Sequence, residues 1–390
     1  MPDRVDRTVT ARSDTGGGLD AQVQLLSGGP SAAGTGAHRT GYARHAAVAR
    51  VTAEISFYRH HRLTPREKPL KVMSLLGSAA RAVTARIGYL RAVPPITLGG
   101  AVVVISGGGR GIGAATAAAF AARGAAVWIG DLDAEVAGAT AARIPGATAR
   151  LLDVRSPSSW RALIDEVLGV HGRIDVLVNN AGVMPVGPFL NQDQAVTDLM
   201  VDVNLRGVLS GMAAVLPAMT AAGRGHIVNV SSMAGAIPLP GMVTYNATKY
   251  GVVGASLAAR REFDGTGVTV SAVLPAAVRT ELSSGADLSA LPTVDPDQVA
   301  TQIVDTVTTR APRVSAPTWV RRGWQLAETF VPETVERAAR RLIGHDQALA
   351  LDPVGRRDYL GRIDRHARSA AHRGSGDAGS PAADTGGAAR

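Results

Sequence analysis

Six short runs rich in β-branched residues recur through the middle of the chain, with helical stretches between them. They are "AVVVIS" (101–106), "AVWIG", "ATARLLDV", "IDVLVNNAG", "HIVNVSS" and "GVTVSAVLP". Each is too short for a helix and reads as a buried strand. "GIGAATAAAFAARG", closed by Gly124, and "SSWRALIDEVLGVHG", opened by Ser156 and Pro157, read as helices. "QAVTDLMVDVNLRGVLSGMAAVLPAMTAAG" reads as one long helix and "YNATKYGVVGASLAARREF" as another. Such alternation builds right-handed βαβ units on a parallel sheet. The expected class is α/β, a doubly wound parallel sheet with helices on both faces. Ligands of such sheets bind beyond the carboxyl ends of the strands.

The turn after the first run is "SGGGRGIG", residues 106–113. Glycines let a backbone turn tightly and approach a pyrophosphate, which a helix N-terminus then holds. The other reading is an ordinary turn in a glycine-rich protein. Asp131 ends the second run, 18 residues past Gly113. An acid there accepts both ribose hydroxyls of an adenosine, or caps the next helix.

Of 41 lysines and arginines only Lys68, Lys71 and Lys249 are lysines, and Lys249 alone lies in the apolar body. It follows Tyr245 by four residues, so the two share one helix face. A phenol of pKa near 10 is a poor base at neutral pH, and a neighbouring ammonium favours its phenolate. Tyr245 taken alone reads better as a half-buried structural aromatic; Lys249 and the glycine turn together reverse that reading to a catalytic one.

Three motifs, "SGGGRGIG", "NNAG" (179–182) and "YNATK" (245–249), stand here in one order. Together they resemble the Y-x-x-x-K group of the short-chain dehydrogenase/reductase family, over about residues 97–316. The resemblance implies a single Rossmann-like catalytic domain there. It implies cofactor contacts from Ser106, Gly107, Arg110, Gly111, Ile112 and Gly113, with Asp131 at the adenosine ribose. Asp153 and Val154 would flank the adenine, and Asn180, Ala181 and Gly182 would line the cleft. Pro275, Val278 and Thr280 complete the set, Thr280 reaching the carboxamide or pyrophosphate. The implied catalytic group is Tyr245 as acid/base, Lys249 on the phenol and the nicotinamide ribose, Ser232 on the substrate oxygen, and Asn204 holding a water beside the lysine. Ser232 is preferred to Ser231 because alternation along a strand turns the two apart. Two residues depart from the family pattern: Ser106 replaces threonine, and Ala276 replaces the glycine after Pro275.

The same resemblance implies an NAD(P)-dependent oxidoreductase interconverting a secondary alcohol and a ketone, working as a homodimer or homotetramer. NAD is favoured over NADP. A 2′-phosphate about 4 Å from the Asp131 carboxylate would cost about 4 kcal/mol at an effective dielectric near 20. Arg110 pulls towards NADP. The alternatives are an NADPH-dependent carbonyl reductase and a catalytically silent dinucleotide sensor. The implied substrate lid, "ELSSGADLSALPTVDPDQ", has Leu282, Leu288 and Leu291 as its bulky residues, so the expected substrate is apolar.

The rest of the chain limits other functions. With no cysteine it has no disulfide, thiolate metal site or cysteine nucleophile. Its nine histidines form no close pair beyond His60 and His61, so no metal site is expected. "NVSSMAG" is not a nucleophile elbow. The net charge of +9 comes from the ends: residues 99–310 hold 14 basic and 17 acidic groups, which argues against a nucleic-acid partner. A polar N-terminus without an apolar leader, and the lack of any apolar run near the roughly 20 residues a bilayer needs, make a cytoplasmic protein the expectation. Residues 1–72 read as disordered or as an extension before a start at Met73, and 73–96 as a short amphipathic lead-in. Residues 317–366 read as an amphipathic helical extension. There Val320, Trp324, Ala327 and Val331 form a stripe, flanked by Trp319, Phe330, Arg321 and Arg322, that would suit peripheral membrane contact. Residues 367–390 read as a flexible tail.

Overall fold

The computed structural model describes residues 93, 95–284, 293–318, 320, 352 and 355–376. The chain divides into two compact units, Met1–Leu90 and Arg91–Arg390, and all described residues belong to the second. The expectations for residues 1–72, for most of 73–96, for the lid residues 285–292 and for the stripe beyond Val320 fall outside the described residues.

The strands are β1 (Val102–Ser106), β2 (Ala126–Asp131), β3 (Ala147–Leu151), β4 (Val176–Asn179), β5 (Gly225–Val230), β6 (Val268–Pro275) and β7 (Arg313–Ala316). They form one seven-stranded sheet in the order β3-β2-β1-β4-β5-β6-β7, every pair parallel. The order reverses between β1 and β4, and that switch point opens the crevice where ligands of such sheets bind. The helices are α1 (Gly111–Ala121), α2 (Ala134–Ala141), α3 (Pro157–His171), α4 (Gln194–Ala221), α5 (Val243–Glu262), α6 (Pro296–Thr309) and α7 (Arg357–Gly376).

Alternation along β1 divides the core. Val103 and Ile105 join Phe120 of α1 and Ile303 of α6 on one face. Val102 and Val104 join Trp160 of α3 and Met212, Val215 and Met219 of α4 on the other. Most strand residues are buried, which is why the runs are continuously apolar. Asp175 fixes the start of β1. Its buried carboxylate accepts from the Val102 amide at 2.9 Å and pairs with Arg224 at 2.5 Å and Arg173 at 3.1 Å.

Three elements carried no sequence expectation: α2, α6 and β7. The first two have readable signals, Asp133 as an N-cap and Asp295-Pro296 with Gln298 as a capping box. The long helix forms as expected, but a wide π turn over Asp202–Arg206 interrupts it. By length and hydropathy α4 could also cross a membrane, contrary to the expectation that no stretch could. It instead packs its buried side against the sheet. The C-terminal boundary also moves: α7 runs unbroken through residue 366 to Gly376.

His226 on β5 is fully buried, its Nδ1 2.8 Å from the Thr269 hydroxyl and its Nε2 3.1 Å from that of Thr306. Burial, then Arg310 and Arg260, holds its pKa well below the usual value. The unfolded chain therefore binds a proton that the native fold refuses. Its contribution to stability is complete above about pH 6.5 and is lost below it, by at most about 1.4 kcal/mol per pH unit. His366 has the same sign. Urea denaturation from pH 7 to 5 should show this fall, and His226→Gln should flatten it while lowering stability at pH 7.

Candidate active site

The turn joining β1 to α1 is built for close approach. Gly107 has φ +64°, and a Cβ there would lie 2.7 Å from Ala181 Cα. A Cβ on Gly113 would overlap the Gly107 carbonyl oxygen and crowd Asn180 Nδ2. Ser106 and Asn180 hold this turn against the end of β4. The Ser106 hydroxyl accepts from the amides of Asn180 (3.1 Å) and Ala181 (3.3 Å). Asn180 Nδ2 donates to the carbonyls of Ser106 (3.2 Å) and Gly107 (2.9 Å). Both were expected to touch a cofactor. Their side chains face the turn itself, where serine keeps the hydroxyl that threonine would supply. α1 has no acid in its first turn and no side-chain cap, so no side chain of its own competes for its N-terminal amides.

Asp131 ends β2 beside this turn. Its carboxylate accepts from the amides of Gly109 (2.9 Å) and Asp133 (3.1 Å). Arg110 is drawn off by two acids, Asp133 at 2.6 Å and Glu281 at 3.5 Å. Asp153 forms a two-pronged pair with Arg155, at 2.8 and 2.7 Å. Val154 is buried and packs against Gly207. On the opposite side, Gly111 faces the Thr280 methyl, and Val278 pairs with Val294 in a short ladder. Pro275 closes β6 against Ala316. Ala276 is not among the residues of positive φ, so the family's glycine is not needed there for backbone reasons.

Tyr245 and Lys249 lie buried on α5, with the ammonium 5.6 Å from the centre of the phenol ring. Lys249 Nζ donates to the Val230 carbonyl at 3.2 Å, where β5 ends. Ser232 stands close enough to the Tyr245 phenol to lower its pKa, and its own oxygen accepts from the Ala234 amide at 3.1 Å. Ser231 points the other way and donates to the Lys249 carbonyl at 2.9 Å. Asn204 sits inside the π turn, fully buried. Its amide accepts from the Val183 N–H and donates to the Val183 carbonyl, both at 2.8 Å. That side chain anchors the strand-end loop. Gly182 borders both groups: a Cβ there would lie in ordinary contact, 3.4 Å from Asn204 Oδ1 and 3.6 Å from Lys249 Nζ.

One expectation is reversed. The ammonium was expected to lower the phenol's pKa. Instead burial pushes Tyr245 up to about 12, against a smaller lowering by Ser232. Burial brings Lys249 down to about 8. Both groups have lost water, and that loss outweighs their mutual influence.

Residues beyond the family motifs complete the cleft. Met200, Ala234 and Tyr245 pack with Val183, Met184, Val196, Leu239 and Met242. From α7, the buried Tyr359 hydroxyl accepts from the Met184 amide at 2.7 Å. Burial raises its pKa, and Tyr245 is close enough to raise it further. Arg356 reaches the Met184 carbonyl. Tyr359, Ile363 and Ala367 bury one stripe of α7 against Leu199. That four-residue spacing within a charged stretch was the available sequence signal.

The model of the family described as short chain dehydrogenase matches residues 101–289. A 3-alpha-(or 20-beta)-hydroxysteroid dehydrogenase of Mycobacterium tuberculosis is 38% identical over 187 residues, 47% of this chain and 71% of that one. A D-threitol dehydrogenase of Mycolicibacterium smegmatis is 40% identical over 189 residues, 47% of this chain and 73% of that one. Among solved structures, a 3-ketoacyl-(acyl-carrier-protein) reductase from Brucella melitensis, complexed with NADH, is similar with a TM-score of 0.52. It is 28% identical and covers 56% of this chain and 97% of its own.

This chain belongs to the short-chain dehydrogenase family.

It is an oxidoreductase that uses a nicotinamide dinucleotide and acts on small molecules. Its residues fit that cofactor: the glycine run 107–109 leads through Arg110 into a helix start with neither acid nor side-chain cap, beside the Asp131 carboxylate. Gly113→Ala tests the turn. Displacing Gly107 or Asn180 should weaken NAD binding at least about tenfold, near 1.4 kcal/mol, in a fluorescence titration. Unchanged affinity would contradict this role for the turn.

Proposed function

We propose that this dehydrogenase interconverts a secondary alcohol and a ketone on an apolar substrate, with NAD preferred to NADP and Tyr245 as the proton-transfer group. The observation that carries the reading is Lys249 with its ammonium 5.6 Å from the Tyr245 ring and Ser232 beside the same phenol, at the strand ends next to the glycine turn. NAD, when bound, supplies the hydride acceptor, and NADH the donor. In oxidation the Tyr245 phenolate, formed by prior loss of its proton, takes the hydroxyl proton; in reduction the protonated phenol gives its proton to the carbonyl oxygen. Ser232 orients that oxygen through its hydroxyl. With a pKa near 12 the phenol is fully protonated at neutral pH, the state that reduction needs. Lys249, near 8, is mainly cationic there. Its ammonium donates to the Val230 carbonyl and has no carboxylate neighbour among the described residues, so ribose hydroxyls are suitable further acceptors. Asn204 positions the Val183 loop and, through it, the wall of the site.

The NAD preference rests on Asp131 facing the turn while Arg110 is engaged by Asp133 and Glu281. A 2′-phosphate would meet the acid without a free cation. The apolar walls, Val183, Met184, Val196, Leu239 and Met242, support an apolar substrate body. Exposed Leu209, Val243 and Tyr250 on α4 and α5 support a homo-oligomer.

Steady-state kinetics over secondary alcohols and ketones with each cofactor test the reading. NAD should give the higher kcat/KM. Tyr245→Phe should lose about 10²–10⁴-fold in kcat with NAD affinity changed only a few-fold. Preference for NADP, or a Tyr245→Phe enzyme above about a tenth of wild-type turnover, would overturn it.

A further inference from the structure

The C-terminal helix brings a cation to the cleft that the proton transfer above does not use. Arg356, just before α7, is fully buried. Its Nη1 donates to the Ser284 carbonyl at 3.1 Å and its Nη2 to the Met184 carbonyl at 2.8 Å. The guanidinium lies 4.8 Å over the Tyr359 ring. Its Nε has no hydrogen-bond partner, and neither does the buried Ser284 hydroxyl. No carboxylate among the described residues pairs with it: Glu281, three residues before Ser284, is engaged by Arg362 and Arg110. A buried guanidinium without an anion is unfavourable, and a ligand bearing one would relieve that cost.

Its place ties it to the reaction. Met184, whose carbonyl it holds, lines the same wall as Tyr245. Tyr359, beneath its guanidinium, accepts from the Met184 amide through its hydroxyl at 2.7 Å. Two unused donors, an N–H and an O–H, match the two oxygens of a carboxylate. One cation balances one negative charge, whereas a phosphate dianion would keep an excess.

We propose that Arg356 Nε and the Ser284 hydroxyl bind a carboxylate on the substrate, so that the enzyme acts on hydroxy and oxo acids with an apolar body rather than on neutral alcohols. This rests on the oxidoreductase reading and narrows its substrate class.

The test has two readouts. The first is kcat/KM for acetylbenzoates and oxo-octanoates, each against its methyl ester, with NADH. Wild type should prefer the acids by at least about tenfold, the worth of one charge-assisted hydrogen bond. Arg356→Gln should erase that preference, Arg356→Lys should keep part of it, and Ser284→Ala should reduce it with both main-chain anchors intact. The second is calorimetric binding of octanoate and octanamide to the NAD-loaded enzyme. Octanoate should bind more tightly to wild type and not to Arg356→Gln. Equal use of acid and ester, equal binding of the two ligands, or a preference surviving Arg356→Gln would overturn the proposal. If Arg356→Gln does not fold, Ser284→Ala decides: an unchanged preference overturns it. If nothing in the panel turns over, the calorimetry decides. NAD titration reports separately on the oxidoreductase reading.

Discussion

The constraint on which this active site depends is a lysine ammonium held in the interior with no carboxylate among the described residues beside it. Burial brings Lys249 down to about 8, and among the described residues its acceptor is the Val230 carbonyl. The surroundings are arranged around that. Ser231 fixes the Lys249 main chain. The π turn carries Asn204 inward, where it clamps Val183 at both backbone groups. The same dryness drives Tyr245 the other way, up to about 12. A ligand that brings oxygen acceptors to the lysine therefore changes both groups at once.

A second cation stands behind Met184, on the same wall as Tyr245. Arg356 is held by carbonyls and by the face of Tyr359, with no acid among the described residues. Among the described residues both cations meet main-chain oxygens and tyrosine rings, in a cleft otherwise walled by Val183, Met184, Leu239 and Met242. At the dinucleotide end the arrangement is opposite. There Arg110 and Arg155 are each matched by acids, and the turn presents backbone rather than charge. Charge is neutralised where the phosphates would lie and left unbalanced where the substrate would lie.

Local chemistry was legible in the sequence. The strand runs, the glycine turn, Asp131 at a strand end and the i, i+4 pair of Tyr245 and Lys249 are each written within a few residues. Properties set by distant contacts were not. Spacing placed Lys249 beside Tyr245 but carried nothing about burial, so the direction of the phenol's shift was wrong. Ser106 and Asn180 sit where the motifs place them, yet their side chains serve each other's loops across more than seventy residues. The π turn leaves no mark in an apolar helical pattern. Arg356 and Tyr359 meet Met184 from 172 and 175 residues away, a separation no window reads.

The most direct test is a spectrophotometric titration of the Tyr245 phenol, isolated by difference against Tyr245→Phe, with and without NAD. Without NAD its midpoint should lie near 12. With NAD it should fall, and in Lys249→Met the fall should disappear. A midpoint that ignores NAD, or a fall that survives the loss of Lys249, would contradict the claim that the buried ammonium couples the cofactor to the phenol.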